Sequence, residues 1–185
     1  MPFFVEVKGQ ILWNSEVGGN MEQVNFFENR IFYEKAEKTF LVHKQIIKER
    51  IPEADVQHVG STALPNSLTK GDLDIQVRVT PDQFPKAVQS LTALYQLNEG
   101  SDKTEWFRAF KDDSTDLPLG VQLTIIDSEY DFFWKFRDIL LMNDAYRKEY
   151  DELKRKFEGK EMDDYREAKN EFFQKLMNSP EFNKL

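Results

Sequence analysis

The chain has no cysteine and only two histidines, His43 and His58. No disulfide can form, no thiolate can act as nucleophile or ligand, and a histidine-rich zinc site is all but excluded. The metal chemistry left open is that of hard cations on carboxylate oxygens. Positive charge is also in deficit, with 25 Lys and Arg against 33 Asp and Glu for a formal net charge of −8. That balance argues against a long nucleic-acid partner, which needs clustered cations, and leaves room for a local basic pocket. No stretch approaches the roughly 18 apolar residues of a membrane span. The opening residues Met1 to Lys8 lack the basic segment and apolar run of a secretory leader. A cytoplasmic protein with no membrane segment is expected.

What the chain does have is length and aromatic mass. Its 185 residues, with 16 Phe, 6 Tyr and 3 Trp, can bury one sizeable core. No period repeats and no segment is low in complexity. Residues 1–20 read as an arm or hairpin, because Phe4 to Lys8 alternates like a strand and Gly18-Gly19 breaks the pattern. Residues 21–127 form the expected core. Residues 128–185 form a charged helical segment joined to it without a Pro/Gly/Ser-rich linker, so the two make one unit.

Within the core, Met21 to about Arg50 has helical periodicity, with Asn20 as its cap and Pro52 beyond its end. Val56 to Val59 reads as a short strand running into Gly60-Ser61. Asp72 to Val79 alternates strictly, placing Leu73, Ile75, Val77 and Val79 on one face and Asp72, Asp74, Gln76 and Arg78 on the other. Thr80-Pro81-Asp82-Gln83 predicts a capped helix to about Tyr95 with Pro81 at its first position. A hairpin over Thr104–Lys111 and Leu119–Ile126 follows. Three helices then begin near Ser128, Asp144 and Asp163, the first with Ser128 and Asp131 as a capping box.

The stretch His58-Val59-Gly60-Ser61-Thr62-Ala63-Leu64-Pro65, then Lys70-Gly71-Asp72-Leu73-Asp74-Ile75, carries the chemistry. A strand ends at a glycine that lets backbone approach a ligand closely. The Ser-Thr pair can open a short helix whose N–H groups attract phosphate. Asp72 and Asp74 then share one strand face with Cα atoms about 7 Å apart, a spacing that lets two carboxylates share Mg²⁺ with a phosphate chain. The bland alternatives are a strand-end turn, a solvated acidic face and a hydrogen-bonded strand histidine at His58.

Gly-Ser, a ten-residue spacer from Thr62 to Gly71, and Asp-Leu-Asp-Ile resemble the nucleotidyltransferase superfamily of polymerase-beta-like enzymes. The fuller run resembles one branch, the GrpB family. So do Phe136-Arg137-Asp138-Ile139-Leu140 and the Tyr-x-x-x-Lys pairs Tyr150 with Lys154 and Tyr165 with Lys169. The resemblance implies an α+β fold, a mixed β-sheet with helices packed on it and a C-terminal helical segment walling a cleft. It implies a nucleoside triphosphate or other small phosphorylated ligand near Gly60, Ser61, Thr62, Lys70 and His58, with Arg137, Lys154, Tyr165 and Lys169 facing it. Asp72 and Asp74 would hold Mg²⁺ and direct nucleotidyl transfer to a small acceptor.

Four positions depart from the family pattern. Asn66 replaces a Gly, Gly71 replaces a Pro, and Gln122 with Thr124 stand where many relatives carry a His-x-His pair. A third acid is the missing part, with Glu105 and Asp127 as candidates. If neither reaches Asp74, a binding module that has lost its metal triad becomes the better reading. Ser61 lacks a Gly-x-Ser-x-Gly context and makes a poor hydrolase nucleophile.

Overall fold

Strand Leu73–Val79 organises the molecule, because its alternation gives it one wholly apolar face and one polar face. In the computed structural model, which describes residues 23–185, it is β4 of five strands in one mixed sheet, ordered β2-β4-β7-β6-β5. β2 (Asp55–Val59) pairs with it antiparallel and β7 (Leu119–Ile125) parallel. β6 (Phe107–Asp112) joins β7 antiparallel as the expected hairpin, and β5 (Gln96–Leu97) closes the edge. A second, two-stranded ribbon joins β1 (Phe27–Glu28) to β3 (Leu68–Thr69).

The apolar face is covered by α1 (Tyr33–Arg50) and α2 (Phe84–Thr92), with Ala36, Phe40, Ile47, Phe84, Ala87 and Leu91 against the β4 side chains. The polar face is covered by the C-terminal helices α3 (Phe133–Met142), α4 (Asp144–Phe157) and α5 (Met162–Met177). Phe132, Phe133, Phe136 and Phe173 share one buried cluster with Val59, Phe107 and Ala109 of the sheet, so this core belongs to both halves of the chain. The fold is the α+β arrangement expected of a nucleotidyltransferase-like chain. No helix among the described residues is long and apolar enough to cross a membrane.

The expected N-terminal arm and the Asn20 cap fall outside the described residues. The long first helix is shorter than its periodicity suggests. Residues 24–28 are extended because Val24 exchanges backbone hydrogen bonds with Lys160 and Gly159 while Phe27 and Glu28 pair with β3. Asn29 then commits its side chain to a loop, and the helix begins only at Tyr33. Tertiary pairing overrides the local pattern here. Likewise Thr80 to Gln83 form a turn, with the Gln83 side chain accepting from the Thr80 N–H, and α2 starts at Phe84 with Pro85 in its first turn.

The expected Ser128–Asp131 capping box does not form, because Asp131 is used elsewhere. Its carboxylate accepts from Arg78 Nε and Nη2, both at 2.7 Å, from Gln76 Nε2 at 2.9 Å and from the Asp127 N–H at 2.9 Å. Gln76 Oε1 accepts in turn from the Trp134 N–H at 2.9 Å, and the Arg78 guanidinium lies over the Trp134 ring. With side chains 15% and 3% exposed, Arg78 and Asp131 form a buried, bidentate pair that fastens α3 to β4. Removing one partner strands the other charge. Asp131→Ala is therefore expected to cost about 3 kcal/mol, read from urea unfolding, while a loss below about 1 kcal/mol would mean the pair does not fasten the helix.

Candidate functional site

At the other end of β4 the polar face opens instead of closing. β2 ends at Val59, directly opposite Asp74 in the register. Gly60 follows with φ 74° and ψ −171°, a conformation essentially restricted to glycine. A Cβ there would lie 2.3 Å from Asp74 Oδ2. The glycine thus lets the loop backbone press against the carboxylate, a contact that no other residue permits.

The loop is held from behind. Asn29 Nδ2 donates to the carbonyls of Ser61, Thr62 and Leu64 at 3.3, 3.0 and 2.8 Å. His58 Nε2 lies 3.1 Å from Thr62 Oγ1, which donates to the Asp72 carbonyl at 3.0 Å. His58 Nδ1 meets Glu37 Oε1 at 2.6 Å, and its ring stacks on Phe40. Burial pulls its pKa down against the pull of Glu37. His58 and Thr62 are struts that fix the loop to β4. The expected short helix is a single 3₁₀ turn, Ser61–Ala63, too short to offer a helix dipole.

In front of the loop lies a cavity of about 690 Å³ between the polar sheet face and α3 and α5. Gly60, Ser61, Lys70, Asp72, Asp74 and Lys169 line one end. Lys70 Nζ pairs with Asp72 Oδ2 at 2.9 Å. Asp74 touches the cavity but is otherwise enclosed, so burial and the neighbouring Asp72 raise its pKa to about 6 against the pull of Lys169, Lys70 and Gln122. Burial likewise lowers Lys169 to about 7, with Asp74 opposing.

Two tyrosine hydroxyls complete this end. Tyr150 and Tyr165 place their Oη atoms 3.3 Å apart, and Tyr150 also bonds the Ser61 side chain. Burial pushes Tyr150 up to about 12 and Tyr165 well above its usual value, so both keep their protons as donors. Of the first Tyr-x-x-x-Lys pair it is thus Tyr150 that lines the cavity. Lys154 sits fully buried behind it and donates to the Leu68 carbonyl at 2.5 Å, Ser67 Oγ at 3.1 Å and Asp151 Oδ1 at 3.3 Å. Arg137 lies in the wall, but its Nη1 donates to Gln57 Oε1 and the His58 carbonyl, both at 2.9 Å, and its Nε to Asp138. Lys154 and Arg137 hold the walls together.

Neither candidate for the third acid joins Asp72 and Asp74. Glu105 is exposed ahead of β6, and Asp127 is exposed beyond β7 at φ 63°. Across from Asp74 on β7 stand Gly120 and then Gln122, whose Nε2 is 3.4 Å from Asp74 Oδ1. Among the described residues no three of the His, Cys, Asp and Glu side chains gather to hold a metal ion. An amide donor facing Asp74, with lysines beside both carboxylates, does not fit a resident Mg²⁺.

The family model described as "GrpB protein" matches residues 32–179. The chain belongs to the GrpB family. A UPF0157 protein of Vibrio cholerae is 30% identical over 162 residues, covering 87% of this chain and 84% of that one. Among solved structures, the conserved protein GrpB from Enterococcus faecalis superimposes with TM-score 0.58 at 21% identity, over 71% of this chain and 81% of that one. A poorer overlap, TM-score 0.38 at 11% identity, covers 63% of this chain and 40% of Cid1, described as an RNA terminal uridylyl transferase.

In this GrpB-family cleft, reading the sequence alone passes over Asn29, Tyr150 and Gln122 as site residues. Tyr150 had a signal, since it lies four residues before Lys154 on one helical face. Asn29 had none. Two outcomes follow from the geometry. By carboxyl-detected NMR titration, Asp74 should titrate near 6, lower in Asp72→Asn, which removes a repelling charge, and higher in Lys169→Met, which removes an attracting one. Opposite movements would refute the assigned neighbours. Gly60→Ala should cost about 2 kcal/mol or more by thermal unfolding, from the forbidden backbone and the Asp74 clash. A loss near zero would mean the loop relaxes freely.

Proposed function

We propose that the cleft binds a nucleoside triphosphate or a related small phosphorylated molecule, and that it does so as a binding site without a metal centre of its own. The phosphates lie against Ser61, Tyr150 and Tyr165, which can only donate to them while protonated, and between Lys70 and Lys169. The observation that carries this reading is the environment of Asp74. Where a metal triad would need a third carboxylate there is the amide of Gln122, and Lys169 supplies positive charge from the helix opposite. An arriving anion draws Lys169 towards its charged form and faces an Asp74 that is easily protonated, so the site gains positive charge as it fills.

A second reading, nucleotidyl transfer, is favoured by Asp72 and Asp74 standing side by side next to the Gly60-Ser61 loop. The two readings oppose each other on one variant. Calorimetric titration of ATP should show binding that survives a chelator, weakens about tenfold in Lys169→Met, and is unchanged or tighter in Asp74→Asn, where a negative charge is lost. Binding that needs Mg²⁺ and vanishes in Asp74→Asn would sink the metal-free site and support the transferase. No binding under either condition would sink both.

A further inference from the structure

The cavity does not end at the phosphate-facing residues. It continues across the sheet beneath α3, over Gly120 and Ala109, to Phe107 on β6, where Tyr130 stacks on Phe107 with ring centroids 5.0 Å apart. The register places Thr124 opposite Phe107 and Gly120 opposite Asp74. Strand rise and spacing then put Phe107 roughly 16 Å from Asp74. A triphosphate occupying the Ser61–Lys169 end fills only part of that length.

The floor and roof of this second part differ in a way that makes a slot. Small residues, Gly120 and Ala109, occupy the floor, and rings from Phe133, Phe136 and Phe173 form the roof. Apolar surfaces above and below suit the faces of a planar ring. The polar groups along the slot are of both kinds: Lys111, paired with Asp113, stands beside Gly120, and the acceptors gather at the far end. Gln122, nine-tenths buried, turns its Nε2 to Asp74, and its Oε1, without a donor, has no surface open to the cavity. Asp102 and Glu129 line the far end and lie close enough to Tyr130 to raise its pKa. A second phosphate group would be repelled there, which fixes the direction in which a ligand lies.

We propose that this slot holds the nucleobase of the phosphorylated ligand, faces between Ala109 and the α3–α5 rings, with an amino-bearing edge turned to the acceptors at Asp102 and Glu129. The assignment rests on the phosphate reading of the other end and adds the class of ligand: nucleotides of adenine, cytosine or guanine, in preference to uracil nucleotides or to phosphates without a ring.

Calorimetry with ATP, UTP and inorganic tripolyphosphate separates the two claims. ATP should bind at least tenfold tighter than tripolyphosphate, with UTP between them. Ala109→Leu, which fills the floor of the slot, should bring ATP down to the affinity of tripolyphosphate and leave tripolyphosphate itself unchanged. Because Ala109 lies in a buried strand, Met177→Trp, which fills the slot from α5, serves as a second variant with the same expected result. The proposal is overturned if wild type binds tripolyphosphate within threefold of ATP, if UTP matches ATP, or if the slot variants weaken both ligands equally. Tripolyphosphate binding alone would leave the phosphate site standing while removing the base slot, whereas no binding of either compound removes both.

Discussion

A polar strand face buried beneath helices is the constraint on which this structure turns. β4 presents Asp74, Gln76 and Arg78 on the side that the C-terminal helices cover, and none of these can be left dry and unpaired. The chain resolves the problem differently at its two ends. Around Arg78 the polar groups are saturated by Asp131, Asp55 and the start of α3, and the helix closes down on the sheet. Around Asp74 the partners are small or incomplete, and the surfaces stand apart as a cavity.

The closed end makes the open end possible. Asp131 fixes where α3 begins, and Arg137, two turns on, ties the same helix to Gln57 and the His58 carbonyl. The loop bearing Gly60 and Ser61 is held from three directions by Asn29, His58 and Lys154's neighbours Ser67 and Leu68. None of these residues needs to touch a ligand to matter. They hold Asp74 and Lys169 close enough that each perturbs the other's protonation, which is costly for folding and useful for binding.

Much of the fold was legible in the sequence. The strict alternation of β4, the hairpin over β6 and β7 and the three C-terminal helices follow from side-chain periodicity, which burial alone imposes. The start of α1 was not legible, because pairing with β3 and the Gly159–Lys160 turn competes with a helical pattern over the same residues. The Ser128–Asp131 box failed for a related reason. A carboxylate three residues after a serine is an N-terminal signature only if no stronger partner reaches it, and a guanidinium 53 positions away does.

The composition and motifs by themselves determined what kind of site this chain could carry: no thiolate, almost no imidazole, two aspartates on one strand face after a Gly-Ser turn, and a GrpB-family pattern around them. They could not determine which of the cations and hydroxyls named by that pattern face the cleft. Tyr150 and Lys154 share a helix face, and only the packing of α4 turns the hydroxyl inward and spends the ammonium on a loop carbonyl. Nor could they say what stands across from Asp74. Residues 48 positions apart become neighbours only through the parallel pairing of β4 with β7, and that register puts an amide where a third carboxylate would have been needed.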